Sequence, residues 1–295
     1  MYDAVAKNKR NTVLIFIVFF VVIAGLGWLA GYIYADWTIT IFVVVIAAIY
    51  ALIQYFAAGS IAMALNGARE VNRQNASELI GIVKVLATNY GVPEPRVYIV
   101  DDPSMNAFAT GRNPKKSMVA VTTGLLEKLD RRELKAVLAH EMSHIKNYDI
   151  LVSVIVFGLV SAIGMICDFA WRISFSGRGG RDSSPALMIF GLVGIILAPI
   201  IAALVKLALS RQREYLADAS SVLTTRDVEG LALALEKISS DKTPMRRQNT
   251  STEHLWFTSP LKENGIFARL FSTHPPIQKR IERLREINSD KARKM

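Results

Sequence analysis

Two of the four histidines of the chain, His140 and His144, lie four residues apart, and Glu141 directly follows the first. On an α-helix, residues at this spacing share one face, so both imidazoles can reach a single cation. Glu141 then projects beside them, within reach of a water molecule at that cation. The spacing is the HExxH pattern of zinc hydrolases, in which the metal lowers the pKa of water and the glutamate removes its proton before attack on a peptide carbonyl.

The segment that carries this pattern is predicted to be helical. Asp130 and Glu133 have the spacing of a capping box, and neither glycine nor proline interrupts the residues that follow through His144. Chance would produce the pattern roughly 0.002 times in a chain of this composition. A core helix with two hydrogen-bonded histidines would give little reason for an adjacent Glu141. A metal site is therefore favoured over both alternatives.

A catalytic zinc needs a third protein ligand and one open position. A third histidine six residues after the second is absent, because Ile150 stands there, so the candidates lie downstream: Glu214, Asp218, Glu253, His254 and His274. Glu214 and Asp218 are one helical turn apart, which suits a ligand followed by a carboxylate that accepts the N–H of a ligating histidine. A solvated face shared with Arg211 and Arg213 explains the same spacing. The residues alone leave this choice open.

Long apolar segments indicate that the protein lies in a membrane. Of its 295 residues 52% are hydrophobic, and residues 12–34 and 37–56 are uncharged runs, each long enough to cross a bilayer core of about 30 Å. They are separated by two residues and predict a tight helical hairpin. Two further runs, 150–171 with Asp168 and 186–209 with Lys206, predict a second hairpin less strongly.

The charge distribution indicates the orientation of these segments. Lys7, Lys9 and Arg10 precede the first run and place the N-terminus in the cytoplasm, and four crossings then return both polar segments to that side. The connection 172–185 carries three arginines and opposes this orientation, so either the later runs are incomplete spans or the first hairpin determines the topology. The net charge of +10 is attributed to anionic lipid and not to nucleic acid.

The polar segment before the histidines combines a helix with short strands. Apolar spacing predicts a helix over residues 76–90, with Asn75 and Glu78 as a capping pair and Gly91 at its end. Residues 96–100 and 117–122 are strand candidates, and the intervening Gly111 and Asn113-Pro114 indicate a turn. We therefore expect a mainly α membrane protein with four transmembrane helices and a cytoplasmic α+β zincin domain, gluzincin-like, that contains a small β-sheet. The predicted parts are a hairpin 1–57, zincin residues 58–149, a second hairpin 150–209, and zincin residues 210–295.

Several motifs along the chain resemble those of the HtpX family of bacterial heat-shock membrane metalloproteases, relatives of the CAAX prenyl endoproteases. The motifs are AKNKR near the N-terminus, NAFATGRNP, AVTTGLL, LAHEMSHIKNYD, SRQREYLAD and STHPPIQKRI. They follow the order of the family through nearly the whole sequence.

This resemblance implies roles for individual residues. It implies one zinc ion per chain on His140, His144 and Glu214, with Glu141 as general base and Asp218 as a supporting carboxylate. His274 and Arg280 are implied to stabilise the negative charge of the tetrahedral intermediate. The residues alone equally fit a turn residue for His274, which precedes two prolines, and a position in an amphipathic helix over residues 277–287 for Arg280. The strand and turn over residues 106–122 are implied to be an edge strand to which substrate is added as a further strand; its first residues are Asn106, Ala107, Phe108 and Ala109.

The expected function is that of a zinc endopeptidase that spans the bacterial cell membrane several times. Its active site would face the cytoplasm and cleave misfolded or damaged membrane proteins, so its partners are polypeptides and the lipid bilayer, without nucleic acid. The oligomeric state stays open. One alternative is a site-specific protease of the CAAX type, although such enzymes usually have more membrane segments. Another is a membrane adaptor with a structural zinc, which would need a fourth ligand and would not need Glu141.

Overall fold

A computed structural model describes residues 2–33, 35–159, 211–247, 252, 255–257 and 275–293. The second half of the third apolar run, the whole fourth run, the connection 172–185, His254 and His274 lie outside these ranges. The second membrane hairpin, its boundaries and the count of four spans therefore stay predictions.

Two long apolar helices form the predicted first hairpin. Helix α1 is Tyr2–Ile33 and helix α2 is Trp37–Leu65; Asp36 caps α2 by accepting a hydrogen bond from the backbone N–H of Thr38. Within them, Asn8–Gly25 and Thr40–Leu65 are long and apolar enough to cross a membrane. Large apolar side chains such as Val21 and Phe42 are about two-thirds exposed on the outer face. A lipid environment suits this face, because contiguous apolar surface of this extent is rare in water.

Helix α2 does not end where the apolar run ends. The predicted boundary at residue 57 falls inside it, and the last two turns, which carry Ala58, Ala62 and Met63, pack on the sheet described below. Helix α6, described from Asp149 to Leu159, is buried against α1 and α2. The described part of the third apolar run therefore packs on the first hairpin.

A four-stranded mixed sheet lies beside α2. Its strands are β1 Ala68–Glu70, β2 Arg96–Val100, β3 Ala107–Gly111 and β4 Ser117–Thr122, in the order β1-β2-β4-β3. Strands β2 and β4 are parallel, and the two outer pairs are antiparallel. The predictions of strands at 96–100 and 117–122 are confirmed. The segment read from local signals as a turn contains β3, which is one edge of the described sheet, followed by a short 3₁₀ helix Pro114–Lys116.

The remaining described helices are α3 Ser77–Tyr90, α4 Thr123–Lys128, α5 Arg131–Lys146, α7 Arg211–Thr225, α8 Val228–Ser240 and α9 Ile277–Arg293. The prediction of a helix near 76–90 is confirmed, as is its end at Gly91, which adopts the left-handed conformation with φ 63°. The predicted capping pair is wrong: Ala76 is the N-cap, and the Asn75 side chain accepts a hydrogen bond from Asn72 instead.

Helix α5 lies at the centre of the core that the sheet and the neighbouring helices form. It packs against α3, α7, α8 and β3, and Val137, Leu138 and Met142 are fully buried. Side chains of neighbouring helices also bond its backbone carbonyls: Tyr90 Oη donates to Ala139 O at 2.9 Å, and Ser221 Oγ donates to Ala136 O at 2.7 Å. These bonds fix the rotation of α5 about its axis and so the direction of the side chains on its other face.

The capping box at the start of α5 is confirmed, since Asp130 and Glu133 each accept a hydrogen bond from the other's backbone N–H. We expect Asp130→Ala to lower the free energy of unfolding by about 1 kcal/mol, because one helix-terminal N–H loses its acceptor. In thermal unfolding of the detergent-solubilised protein this corresponds to a drop of about 2–4 °C. Glu127→Ala, at an exposed acid of α4, is the control; equal shifts for the two variants would contradict the capping argument.

Candidate active site

Three predicted ligand atoms meet where α5 and α7 pack together. The Nε2 atoms of His140 and His144 lie 3.1 Å apart. Glu214 Oε2 lies 3.6 Å from His140 Nε2, and Glu214 Oε1 lies 3.7 Å from His144 Nε2. One ligand atom from each of the three residues, His140, His144 and Glu214, lies within 4.8 Å of the other two. The structure therefore brings together two histidines one helical turn apart and Glu214, a residue far downstream, as predicted.

The spacing of this group fits one metal ion. Ligands at about 2.0–2.1 Å in tetrahedral geometry are about 3.3 Å from each other, close to the observed separations. The charge of the site also fits a divalent cation, because four buried carboxylates face only two guanidinium groups and leave an excess of negative charge. The carboxylates are those of Glu141, Asp149, Glu214 and Asp218, and the guanidinium groups are those of Arg213 and Arg280. Two imidazoles and one carboxylate are the donor set of several catalytic zinc sites.

A carboxylate lies behind each imidazole. His140 Nδ1 is 2.9 Å from Asp218 Oδ1, and His144 Nδ1 is 2.9 Å from Asp149 Oδ2. When each Nδ1–H donates to its carboxylate, the Nε2 lone pair is left free to face the metal position. The sequence predicted the contact of Asp218. It assigned no role to Asp149, the last residue of the LAHEMSHIKNYD motif, which lies five residues after His144 and beyond the end of α5.

The carboxylates also set the protonation of the imidazoles in the metal-free protein. Burial lowers the pKa of His144, but the hydrogen bond to Asp149 and the charges of Glu214, Asp149 and Glu141 outweigh it and raise the pKa to about 9. For His140, burial is likewise outweighed by Asp218 and Glu214, so its pKa is raised. The site thus attracts positive charge, which a metal ion would supply in place of protons.

Arg280 holds the carboxylate of Asp218, and its Nη2 atom also lies 3.4 Å from His140 Nδ1. Its Nε and Nη2 atoms donate to the two oxygens of Asp218 at 2.9 and 2.6 Å, and its side chain is fully buried. Burial raises the pKa of Asp218, but the Arg280 charge and the His140 hydrogen bond outweigh it and hold that pKa near 2. The guanidinium carbon is 4.7 Å from the centroid of the Phe257 ring. In these contacts Arg280 acts through Asp218; contact with a reaction intermediate stays a prediction.

Glu141 is buried on α5 beside the ligand group. Its carboxylate is close enough to raise the pKa of both His144 and Arg280 by its negative charge. This position agrees with the predicted neighbourhood of the general base. His274, the other residue implied for the intermediate, lies outside the described residues.

The predicted substrate strand β3 packs against α5, and its outer edge is partly covered by the chain itself. Asn106 O accepts from Thr122 N across the sheet, so Ala107 and Ala109 direct their backbone groups outward. The Asn106 side chain accepts from Ala107 N–H, and Phe257 N–H donates to Ala107 O at 2.8 Å. Of the four predicted substrate residues, Asn106 thus stabilises the strand itself. The backbone of Ala109 is the next outward-directed position after Ala107, and this residue is 6% exposed.

Two aromatic residues that the sequence did not single out join this strand to the ligands. Trp256 packs edge-on against Phe108, with ring centroids 4.5 Å apart, and Phe257 packs edge-on against His140 at 4.9 Å. Phe108, Trp256 and Phe257 are buried. Trp256 and Phe257 therefore lie between the edge strand and the predicted metal ligand His140.

Residues 73–288 match the family model of Peptidase family M48. The chain belongs to peptidase family M48. A "Protease HtpX homolog" from Tropheryma whipplei (strain Twist) is 49% identical over 290 residues, which cover 98% of this chain and 99% of the relative. Another from Streptococcus pneumoniae (strain Hungary19A-6) is 43% identical over 299 residues, covering 97% and 100%. This M48 member is thus a metalloprotease of the HtpX type.

A solved structure gives a more distant comparison. The crystal structure of S. mikatae Ste24p aligns with a TM-score of 0.52 at 18% identity and covers 96% of the M48 chain and 67% of its own. This likeness shows a shared fold. The match extends over the membrane hairpin as well as the ligand-bearing helices, so the two parts belong to one architecture.

The buried pair of Asp218 and Arg280 allows a direct test of this arrangement. We expect Asp218→Ala to lower the free energy of unfolding by about 3–5 kcal/mol, because it leaves the Arg280 charge buried without its partner. The double variant Asp218→Ala/Arg280→Leu should recover part of this loss. Denaturant unfolding in detergent measures each value.

The control for this test is the exposed pair of Arg131 and Glu78, whose side chains are 78% and 66% accessible. Arg131→Ala should change the stability by less than about 1 kcal/mol, as is usual for exposed ion pairs. Additive effects of the Asp218 and Arg280 substitutions would show that the two side chains do not stabilise each other.

Proposed function

We propose that the protein is a zinc-dependent endopeptidase that hydrolyses misfolded or damaged membrane proteins in the bacterial cell membrane. The observation that carries this proposal is the convergence of His140, His144 and Glu214 on one point beside Glu141. A site of three protein ligands leaves a position for reactants, whereas structural zinc sites are usually closed by a fourth. Among the described residues the metal-ligand group has three members.

His140, His144 and Glu214 would hold one zinc ion per chain. When bound, zinc supplies a Lewis acid that lowers the pKa of water and polarises a carbonyl group. Glu141 accepts the proton of the attacking water and then donates it to the leaving amine. Asp218 and Asp149 hold the imidazole rings in place through Nδ1. We assign His274 to the developing negative charge of the tetrahedral intermediate, and the buried positive charge of Arg280 stabilises the same charge at longer range.

The edge strand supports a preference for unfolded polypeptide. A substrate that pairs with the outward backbone of Ala109 must be extended, and backbone hydrogen bonds require little of its side chains. Lys9 and Arg10 at the start of α1 favour a cytoplasmic location for the N-terminus and so for the active site of a protein with several membrane spans. A hairpin with an exposed apolar surface would bring this site to membrane-protein substrates.

The general-base assignment is tested with Glu141→Gln. We expect the variant to bind one zinc as tightly as the wild type, since the ligands are unchanged, and to lose at least about a hundredfold in cleavage rate, since no group takes the proton from water. Cleavage of unfolded casein by the detergent-purified, zinc-loaded protein measures the rate, and metal analysis measures the zinc content.

Glu127→Gln, at an exposed glutamate outside the site, controls for the loss of one negative charge and should cleave as the wild type does. If Glu141→Gln cleaves at the wild-type rate, Glu141 is not the base. If the wild type binds zinc and cleaves neither casein nor a membrane-protein substrate, the structural-zinc adaptor becomes the better hypothesis. Selective cleavage of a prenylated peptide would instead favour the CAAX-type alternative.

The substrate strand is tested with Ala109→Pro. Proline removes the outward backbone N–H at an edge position, which a sheet tolerates because no ladder bond is lost there. We expect kcat/KM for casein to fall at least about tenfold while zinc content and thermal stability stay near the wild-type values. Unchanged kcat/KM in a folded, zinc-loaded variant would show that substrate does not pair with this position.

A further inference from the structure

A short turn after α5 determines where Asp149 lies. Asn147 ends the helix, and Tyr148 adopts the left-handed conformation with φ 62°, which residues other than glycine adopt rarely. Helix α6 then begins at Asp149, whose Oδ2 atom faces His144 Nδ1 at 2.9 Å. This conformation has an energetic cost, so surrounding contacts must hold the turn in place.

Asn8 of α1 makes such contacts on both sides of Tyr148. Its Nδ2 atom donates to Asn147 O at 2.8 Å and to Asp149 Oδ1 at 2.6 Å. An amide nitrogen carries two hydrogens, and both are used here. Asn8 is 3% exposed, so these bonds are shielded from competing water. The neighbouring Lys9 places its Nζ 4.9 Å from the centre of the Tyr148 ring.

The bond from Asn8 fixes the Asp149 carboxylate. Its Oδ2 pairs with His144 Nδ1, and its Oδ1 accepts a hydrogen bond from Asn8 Nδ2. Arg213 Nη1 lies 3.5 Å from Oδ1, beyond the distance of a strong hydrogen bond. Without Asn8, Oδ1 would lose its short donor in a buried position, and the carboxylate could rotate towards other donors. The Nδ1 partner of His144 would then be less well placed.

We propose that Asn8 is a positioning residue for the metal centre: through Asp149 it orients His144, so the first membrane helix contributes to metal affinity. The inference rests on the proposed function, in which His144 is a zinc ligand. It explains why an amide lies near the start of an apolar helix, where burial of a polar group is unfavourable unless its hydrogen bonds are made.

The test measures zinc affinity of the full-length, detergent-solubilised protein by competition with a chelator. We expect Asn8→Leu to weaken zinc binding about tenfold, the lower end of the range for partners behind a metal ligand, and Asp149→Asn to weaken it about tenfold or more. The double variant should bind no more weakly than Asp149→Asn alone, because Asn8 acts through Asp149. The visible spectrum of the cobalt-substituted Asn8→Leu protein should also change, since it reports ligand geometry.

The matched control is Thr12→Val, one turn further along α1. Thr12 is buried, and its hydroxyl makes no hydrogen bond in the described structure. It should change zinc affinity by less than about twofold, as expected for a site without contact to the ligands. If Asn8→Leu does not fold, Asn8→Ala, which removes the same donors with a smaller side chain, takes its place.

Three results would overturn the inference alone. The first two are wild-type zinc affinity and cobalt spectrum in the Asn8 variant, and losses that add fully in the double variant. A lower thermal midpoint of the metal-free Asn8 variant with unchanged zinc affinity would also overturn it, since the role would be structural. His144→Ala separates this failure from that of the proposed function. If that variant binds zinc as tightly as the wild type, His144 is not a ligand, and both proposals fail.

Discussion

The structure depends on holding two imidazole nitrogens 3.1 Å apart with their lone pairs directed at one point. Two such lone pairs repel each other unless a proton or a metal ion lies between them, so the rest of the protein must hold the two rings in place. The helical spacing of His140 and His144 brings the rings together but leaves each free to rotate. Rotation is prevented by carboxylates that come from two other helices, Asp218 on α7 and Asp149 at the start of α6.

This requirement accounts for the arrangement of buried charge. Each carboxylate that holds an imidazole needs a donor of its own, because a buried carboxylate with one partner is poorly compensated. Arg280 donates two hydrogen bonds to Asp218, and Asn8 donates one to Asp149. The first donor comes from the C-terminal helix and the second from the N-terminal helix. Both ends of the described chain thus meet at the metal centre.

The features that the sequence predicted are those with a local signal. The capping box and uninterrupted run of α5, the strands β2 and β4 and the first apolar hairpin follow from spacing within short windows. The grouping of Glu214 with the histidines followed from helical spacing together with the family resemblance. Asn75 had the sequence of a cap, but its side chain found a nearer backbone N–H in the preceding turn. This hydrogen bond within the preceding turn replaced the predicted helix cap.

The features that the sequence did not predict arise from contacts between distant segments. Asn8 and Phe257 reach the site from distant segments, and Asp149 reaches it through the turn after α5. Asn8 and Asp149 lie within motifs of the family resemblance, but no residue spacing assigned a role to any of the three. Strand β3 was indicated by the family resemblance alone. It lacked a local signal because its five residues are small, polar or aromatic and are buried on both faces. The extension of α2 to Leu65 was missed because its last turns pack on the sheet instead of facing lipid. Hydropathy cannot distinguish these two apolar environments.

The separation of Glu214 from the histidines along the chain has a consequence for biosynthesis. A nascent polypeptide that ends before α7 carries His140, His144 and Glu141 but lacks the third ligand. It also lacks Asp218 and Arg280, so the carboxylate that contacts the ring of His140 is missing. If Glu214 is the third ligand, as proposed, the metal centre can be completed only after helix α7 has been synthesised, and therefore after the apolar runs that precede it in the sequence.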